Sequence, residues 1–254
     1  MIHASAFIDP SACLAEDVHI GPYCIIGAQV EIGAGTRVDS HVVINGPTRI
    51  GRNNRIAQFN SIGDDPQDKK YQNQPTMLEI GDNNTIREFC SFNRGTSGGG
   101  GVTRIGDDNW IMAYVHVAHD CVIGNQVTMA NGSTLAGHVH VGDFVTLGAF
   151  TVVHQFCAIG AYAFSAMGTV VFKDVPPYLM IAGNAAKPHG LNSEGLKRHG
   201  FDAEVMRSLK RAYKSLYRNA LSLALALDAL DAQNCAQVGE MAAFVRASTR
   251  GIVR

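Results

Sequence analysis

The chain has 254 residues, 46% of them apolar and 17% charged, enough to bury a sizeable core in one domain or one large domain with an appendage. Its formal net charge of -1 argues against a generic nucleic-acid binder, and no block of like charges marks a disordered tail. The six cysteines show no CxxC spacing, the N-terminus lacks an export pattern and no apolar run approaches ~18 residues, so we expect a cytoplasmic protein with reduced thiols and no membrane segment.

In chain order the first feature is a six-residue period. Every sixth residue from Ile2 through Ile8, Leu14, Ile20 and onward to Ile62 is aliphatic, eleven positions of eleven. Ile80, Ile86 and Phe92 keep the phase, and a third run from Ile105 to Val171 fails only at Ser165. Glycine follows the aliphatic residue eleven times, as in "IGPYCI" and "IGNQVT", where a corner must bend tightly and a missing Cβ removes the steric cost. Neither a period of 3.6 nor one of 2.0 fits. The pattern predicts a mainly β chain wound as a parallel β-helix over residues 1–187, each coil stacking its aliphatic residues on the next. Two stretches interrupt it. The polar segment 63–77, containing "DDPQDKKYQNQPTM", occupies a whole number of repeats and loops out; segment 93–104, "NRGTSGGGGVTR", shifts the phase by one residue and reads as a mobile loop.

Beyond "KDVPPY" the pattern turns helical over 188–254. Asn192 caps "SEGLKRHG", Asp202 caps a helix running to about Tyr217, and weaker helical segments follow near 221–231 and 236–248. Arg207, Lys210, Arg211, Lys214 and Arg218 line one helix face. The helical part covers the open end of the prism. Residues 188–254 carry 10 Lys/Arg against 6 Asp/Glu, whereas residues 1–187 carry 11 against 16, and this basic tail implies an acidic partner.

The repeat resembles that of the hexapeptide-repeat acyltransferases, whose left-handed prism has three sides and hence 18 residues per coil; handedness rests on that resemblance alone. An 18-residue coil stacks His119, Gly137 and Gln155 in one column, with coils ~4.8 Å apart, and Asp120 beneath His138. A histidine beside a glycine N–H supplies the base and the oxyanion donor that acyl transfer needs. Each histidine taken singly reads as a solvated turn residue, but five fall within residues 116–154. Zinc is the rival reading, because gamma-class carbonic anhydrases share this prism and bind zinc through histidines of adjacent subunits. Spacing fixes no third ligand, and we expect no metal.

The motifs "QDKKY", "VAHDC", "LAGHVHV", "VVHQFCAIGA", "DVPPY" and "GLKRHGF", in that order, resemble the UDP-N-acetylglucosamine O-acyltransferase family over essentially the whole chain. The resemblance implies a homotrimer that moves an (R)-3-hydroxyacyl chain from acyl carrier protein to the 3-hydroxyl of UDP-N-acetylglucosamine, the first step of lipid A synthesis, with no cofactor. It makes His119 the general base, oriented by Asp120, and Gly137 the oxyanion amide, with no acyl-enzyme. His116, His138, His154 and Gln155 then line a cleft between subunits; Gln67, Asp68 and Lys70 contact sugar and acyl groups; Asn192, Glu194 and Arg198 take the nucleotide end. Without the resemblance, these last two groups read as loop polarity and helix capping.

Two positions depart from the family pattern. Asn93 stands where a histidine is usual, which puts its substrate contact in question, and His199 replaces a second arginine. Met167, in "FSAMGTVVF", repeats the corner position of His119 higher along the axis; the resemblance implies that a bulky residue there, where relatives taking longer chains have glycine, cuts the acyl groove short and selects a 3-hydroxydecanoyl donor. The alternatives are an acetyl-coenzyme A-dependent hexapeptide acetyltransferase, a gamma-carbonic-anhydrase-like zinc protein, and a nonenzymatic scaffold that displays loops.

Overall fold

The computed structural model describes residues 1–254 and shows a left-handed parallel β-helix followed by four helices. Short strands alternate around three faces. The first face stacks nine strands from Phe7–Ile8 to Val170–Val171, and the second stacks eight from Cys13–Leu14 to Ala158–Ile159. The third runs from His19–Ile20 to Leu179–Ala182 and ends in Lys187–Leu191, ten strands in all. Parallel registers such as Val117↔Leu135 and Leu135↔Val153 carry the 18-residue step. The periodic aliphatic residues point inward and form one core with the helical segment. At one corner Asn54, Asn84 and Asn109 form an inner ladder, each Oδ1 accepting the backbone N–H of the next coil.

The corners turn differently from the sequence expectation. No glycine that directly follows an aliphatic residue of the repeat has positive φ except Gly63. The left-handed residue sits three positions after the aliphatic one and is seldom glycine: Tyr23, Phe59, Tyr114, Asp120, His138 and Phe156 all have φ between 58° and 65°. The recurrence of glycine in the repeat answers a second need. A Cβ on Gly21 would stand 2.8 Å from the Asp39 carbonyl carbon, and one on Gly33 2.8 Å from that of Gly51. Those glycines let one coil sit down on the next; the residues two places further on make the bend.

Both insertions leave the prism at the edge between the first and second faces, and neither hangs free. Arg94 N–H donates to Asp64 O, Gly95 N–H to Met77 O and Asn93 Nδ2 to Asp65 O, joining the loops, and an ion pair links the buried Arg94 to the exposed carboxylate of Asp65. The expectation of a mobile segment at 93–104 is thus replaced by a pinned one, with a short 3-10 turn at Ser97–Gly99.

The first residues past 187 are a strand rather than a helix: Lys187–Leu191 pairs antiparallel with Leu179–Ala182 and closes the third face, with Gly183 at φ 95° in the turn and Gly190 at φ 127° beside a register shift in the returning strand. Then come α1 (Ser193–Arg198), α2 (Ala203–Tyr217), α3 (Leu223–Asp231) and α4 (Ala236–Ala247). Asn192 Oδ1 caps α1 through Gly195 N–H, and Asp202 Oδ1 caps α2 through Glu204 and Val205 N–H. The chain returns to the prism at its end, where Asp174 and Val253 N–H donate to Gly251 O and Asp174 O. No helix is long and apolar enough to cross a membrane.

Replacing Gly21 by alanine should lower the unfolding free energy by roughly 1–3 kcal/mol through this overpacking. Gly239→Ala, in an exposed interior position of α4 with open space around it, should raise it by about 0.5–1 kcal/mol. Urea denaturation of the two variants checks both signs.

Candidate active site

Three consecutive coils build the site at the edge between the first and second faces. Asp120 and His138 occupy left-handed corners on adjacent coils, φ 59° and 62°, which turn their side chains out along that edge. His119 Nδ1 lies 2.8 Å from Asp120 Oδ2. A carboxylate only accepts, so Nδ1 carries the proton and Nε2 keeps its lone pair. Asp120 is 4% exposed and accepts two further hydrogen bonds, from Thr96 N–H to Oδ1 (2.8 Å) and Thr96 Oγ1 to Oδ2 (2.6 Å).

Gly137, one coil on, lies against the imidazole: a Cβ there would stand 2.5 Å from His119 Cε1 and 2.8 Å from Nε2. Its N–H donates to no acceptor within the chain. The column expected from spacing therefore exists, and Gln155, exposed, continues it. His138 meets His119 edge to face at 5.1 Å and stacks on Phe156 at 4.3 Å.

Burial holds His138 below the ordinary histidine range; Asp120 opposes this, His119 adds to it, and the charge of Asp68 also opposes it. Asp68, in the first loop, is near enough for its charge to act on His138, and its sequence neighbours Gln67 and Lys70 are exposed. His116 stands on the first face with Nδ1 2.7 Å from Ser91 Oγ. His154, two coils above Ala118, contacts Gln155 O and Arg250 Nη2. Asn93 is buried and spends Nδ2 on Asp65, so it anchors the first loop; its Oδ1 has no partner.

Four expected site residues lie elsewhere in the single chain. Met167 stands on the edge between the third and first faces, 75% exposed, so it shares the corner type of His119 but not its edge. Asn192, Glu194 and Arg198 border a cavity of about 410 Å³ against Thr146, Phe164 and Met180 of the third face. Asn192 Nδ2 is bound to Tyr162 O, and Glu194 pairs with Lys197 at 2.8 Å. His199 packs edge-on against Phe144 and Tyr162 instead of lining that cavity. Thr96, Thr103, Arg94 and Arg250 escape a reading of the sequence, because only the fold carries them to this edge; a threonine inside a glycine-rich run is the one available signal.

His119, Asp120 and His138 bring three potential metal-ligand atoms within 4.8 Å of one another, a grouping that spacing does not reveal. A metal at Asp120 would have to displace Thr96 or His119 from oxygens they already occupy. The arrangement, an imidazole held by a buried carboxylate with its second nitrogen free, is chemically competent to take up a proton. Cys121, adjacent in sequence, faces inward to Ala136 O, and burial pushes its thiol up to about 12. It offers no nucleophile.

A family model described as "Udp N-acetylglucosamine O-acyltransferase; Domain 2" matches residues 174–253, and one described as "Bacterial transferase hexapeptide (six repeats)" matches residues 1–34 and 103–137. The acyl-[acyl-carrier-protein]--UDP-N-acetylglucosamine O-acyltransferases of Thiobacillus denitrificans and Janthinobacterium sp. are 56% and 53% identical, each match covering 100% of this chain and 99% of the relative. Among solved structures, LpxA from Acinetobacter baumannii superposes with a TM-score of 0.97 at 46% identity, covering 100% of this chain and 99% of the other. LpxA from Bacteroides fragilis, a UDP-N-acetylglucosamine acyltransferase, gives 0.98 at 36% identity with 100% of both chains covered.

Burial also holds His116 below the ordinary histidine range; Ser91 opposes this and His119 adds to it. The unfolded chain therefore takes up a proton near 6.5 that the folded chain takes up only at lower pH, so stability is lost as pH falls below that value. The thermal midpoint should fall between about pH 7.5 and 5.5, and fall less in His116→Gln. Parallel slopes for the two proteins would contradict this.

Proposed function

This chain belongs to the UDP-N-acetylglucosamine O-acyltransferase family, and on that premise we propose how its own residues perform the transfer. The reaction moves an acyl chain from acyl carrier protein to UDP-N-acetylglucosamine. In our reading the donor is an (R)-3-hydroxyacyl thioester, the acceptor is the glucosamine 3-hydroxyl, and the step opens lipid A synthesis in the cytoplasm. The six unpaired thiols suit that reducing compartment.

His119 Nε2 takes the proton of the hydroxyl as its oxygen attacks the thioester carbonyl and the new C–O bond forms. The carbonyl oxygen becomes anionic and accepts from the Gly137 N–H. Collapse breaks the C–S bond, and the imidazolium returns its proton to the departing sulfur. No covalent enzyme intermediate is needed. The observation that carries this reading is the contact chain from Asp120 through His119 to an unsatisfied glycine amide.

The remaining site residues fit if the protein is a homotrimer. The edge between the third and first faces exposes Tyr23, Phe59, Phe89, Tyr114 and Phe150, and the first face exposes Ile25 and Val152. The second face instead carries the pairs Glu31–Arg49 and Glu79–Arg104, suited to water. Pressing the aromatic edge of one chain against the histidine edge of the next is a heterologous contact that closes a ring of three. His119 of one chain then faces Met167, Asn192, Glu194 and Arg198 of its neighbour. The acidic carrier protein docks at a groove of about 570 Å³ lined by His189, Lys197, Arg207, Lys210, Lys214 and Arg218, with no acidic residue. Arg211 turns away from it toward Ser208 and Gln233.

His119→Ala should lower turnover of 3-hydroxyacyl carrier protein with UDP-N-acetylglucosamine by roughly 10²–10⁴-fold while leaving the oligomer intact. Activity within about threefold of wild type, or a preference for acetyl-coenzyme A as donor, would sink the assignment. Met167, projecting from the neighbour into the groove, should select 3-hydroxydecanoyl over 3-hydroxytetradecanoyl donors, since each excluded methylene forfeits ~0.8 kcal/mol of burial. Met167→Gly should shift competition between the two thioesters toward the longer chain.

A further inference from the structure

We propose that Thr96 is a positioning residue for the general base: with its N–H and its hydroxyl it holds the Asp120 carboxylate in the orientation that presents His119 with Nε2 free. This rests on the reading of His119 as the base.

The glycine-rich loop is built around that carboxylate. Thr96 is 7% exposed, its N–H reaches Oδ1 at 2.8 Å and its Oγ1 reaches Oδ2 at 2.6 Å, while His119 Nδ1 shares Oδ2 at 2.8 Å. The loop folds back through Gly99 and Gly101 N–H to Thr96 O. Gly99 is then so close that a Cβ would stand 2.1–2.4 Å from the carboxylate atoms. Thr103 Oγ1 accepts the Asp120 backbone N–H at 2.8 Å, fixing the corner itself. No lysine or arginine pairs with Asp120, so this buried charge is balanced by Thr96 and by the imidazoles of His119 and His138 alone.

The donors of Thr96 therefore do two things. They stop the carboxylate from rotating off the imidazole, and they draw negative charge from the oxygen that His119 shares. Removing the hydroxyl concentrates charge on Oδ2 and stabilises imidazolium. A base must be unprotonated to act, so the acid limb of the kcat/KM profile moves to higher pH. The other ionisable groups facing this cluster are His116 on the first face, His138 on the next coil, His140 beyond it on the second face and Asp68 from the first loop, none of which contacts Thr96.

The test compares Thr96→Val, Thr96→Ser and Gly99→Ala in the full-length protein, following kcat, KM and the NMR titration of the His119 imidazole. Thr96→Val should lower kcat by about 10- to 100-fold with KM for UDP-N-acetylglucosamine within about twofold, and both the acid limb and the imidazole titration should move to higher pH. Thr96→Ser should restore both. Wild-type kcat and titration in Thr96→Val, or an equal defect in Thr96→Ser, would overturn the proposal. If Thr96→Val does not fold, Gly99→Ala carries the test: it keeps both donors but displaces the carboxylate, and unchanged kcat there would be equally fatal. The titration is read without turnover, so it fails or succeeds separately from the assignment of His119 as the base.

Discussion

Everything in this molecule depends on the requirement that successive coils lie flat on one another. A side of six residues leaves two or three in extended conformation, one pointing inward, and the rest to turn a corner. Each coil must bring its backbone groups opposite those of the next, because an unpaired buried peptide group is costly. Glycine where a Cβ would strike the neighbouring backbone, left-handed residues at the bend and asparagines that bridge the inner corner are three local answers to that requirement.

The stacking rule explains why so much is legible in the amino-acid order. Inward-pointing positions are visible in the primary structure as a period, and the 18-residue step then places Val117, Leu135 and Val153 in line, with His119, Gly137 and Gln155 beside them. The bend is misread from sequence because glycine is both the commonest left-handed residue and the smallest. Its frequency at one position says nothing about which property is used, and only the contacts of Gly21 and Gly33 distinguish them. Thr96, Arg94 and Arg250 belong to irregular segments with no period to extrapolate, and reach the site through hydrogen bonds that spacing does not encode.

The three edges have diverged under a common geometry. One carries a carboxylate, imidazoles and both inserted loops; another carries an exposed aromatic row, Tyr23, His41, Phe59, Phe89 and Tyr114, stacked at 4.9–5.3 Å. The same corner position serves both, since a left-handed residue directs its side chain outward whatever its chemistry. Within one chain the histidine edge and the third face with its Asn192, Glu194 and Arg198 cavity stay apart, because the prism cannot bend one edge around to a face it does not border.

The strand ladder also makes height along the prism a counted quantity. Neighbouring coils are separated by one interstrand spacing of about 4.8 Å, and no side chain can be raised or lowered by less without breaking the ladder. An inserted or deleted coil would carry every group above it up or down as a block, keeping each on its own edge. Such a scaffold has gears: coarse changes of reach come from whole coils, and fine adjustment within a coil is left to the size of single side chains.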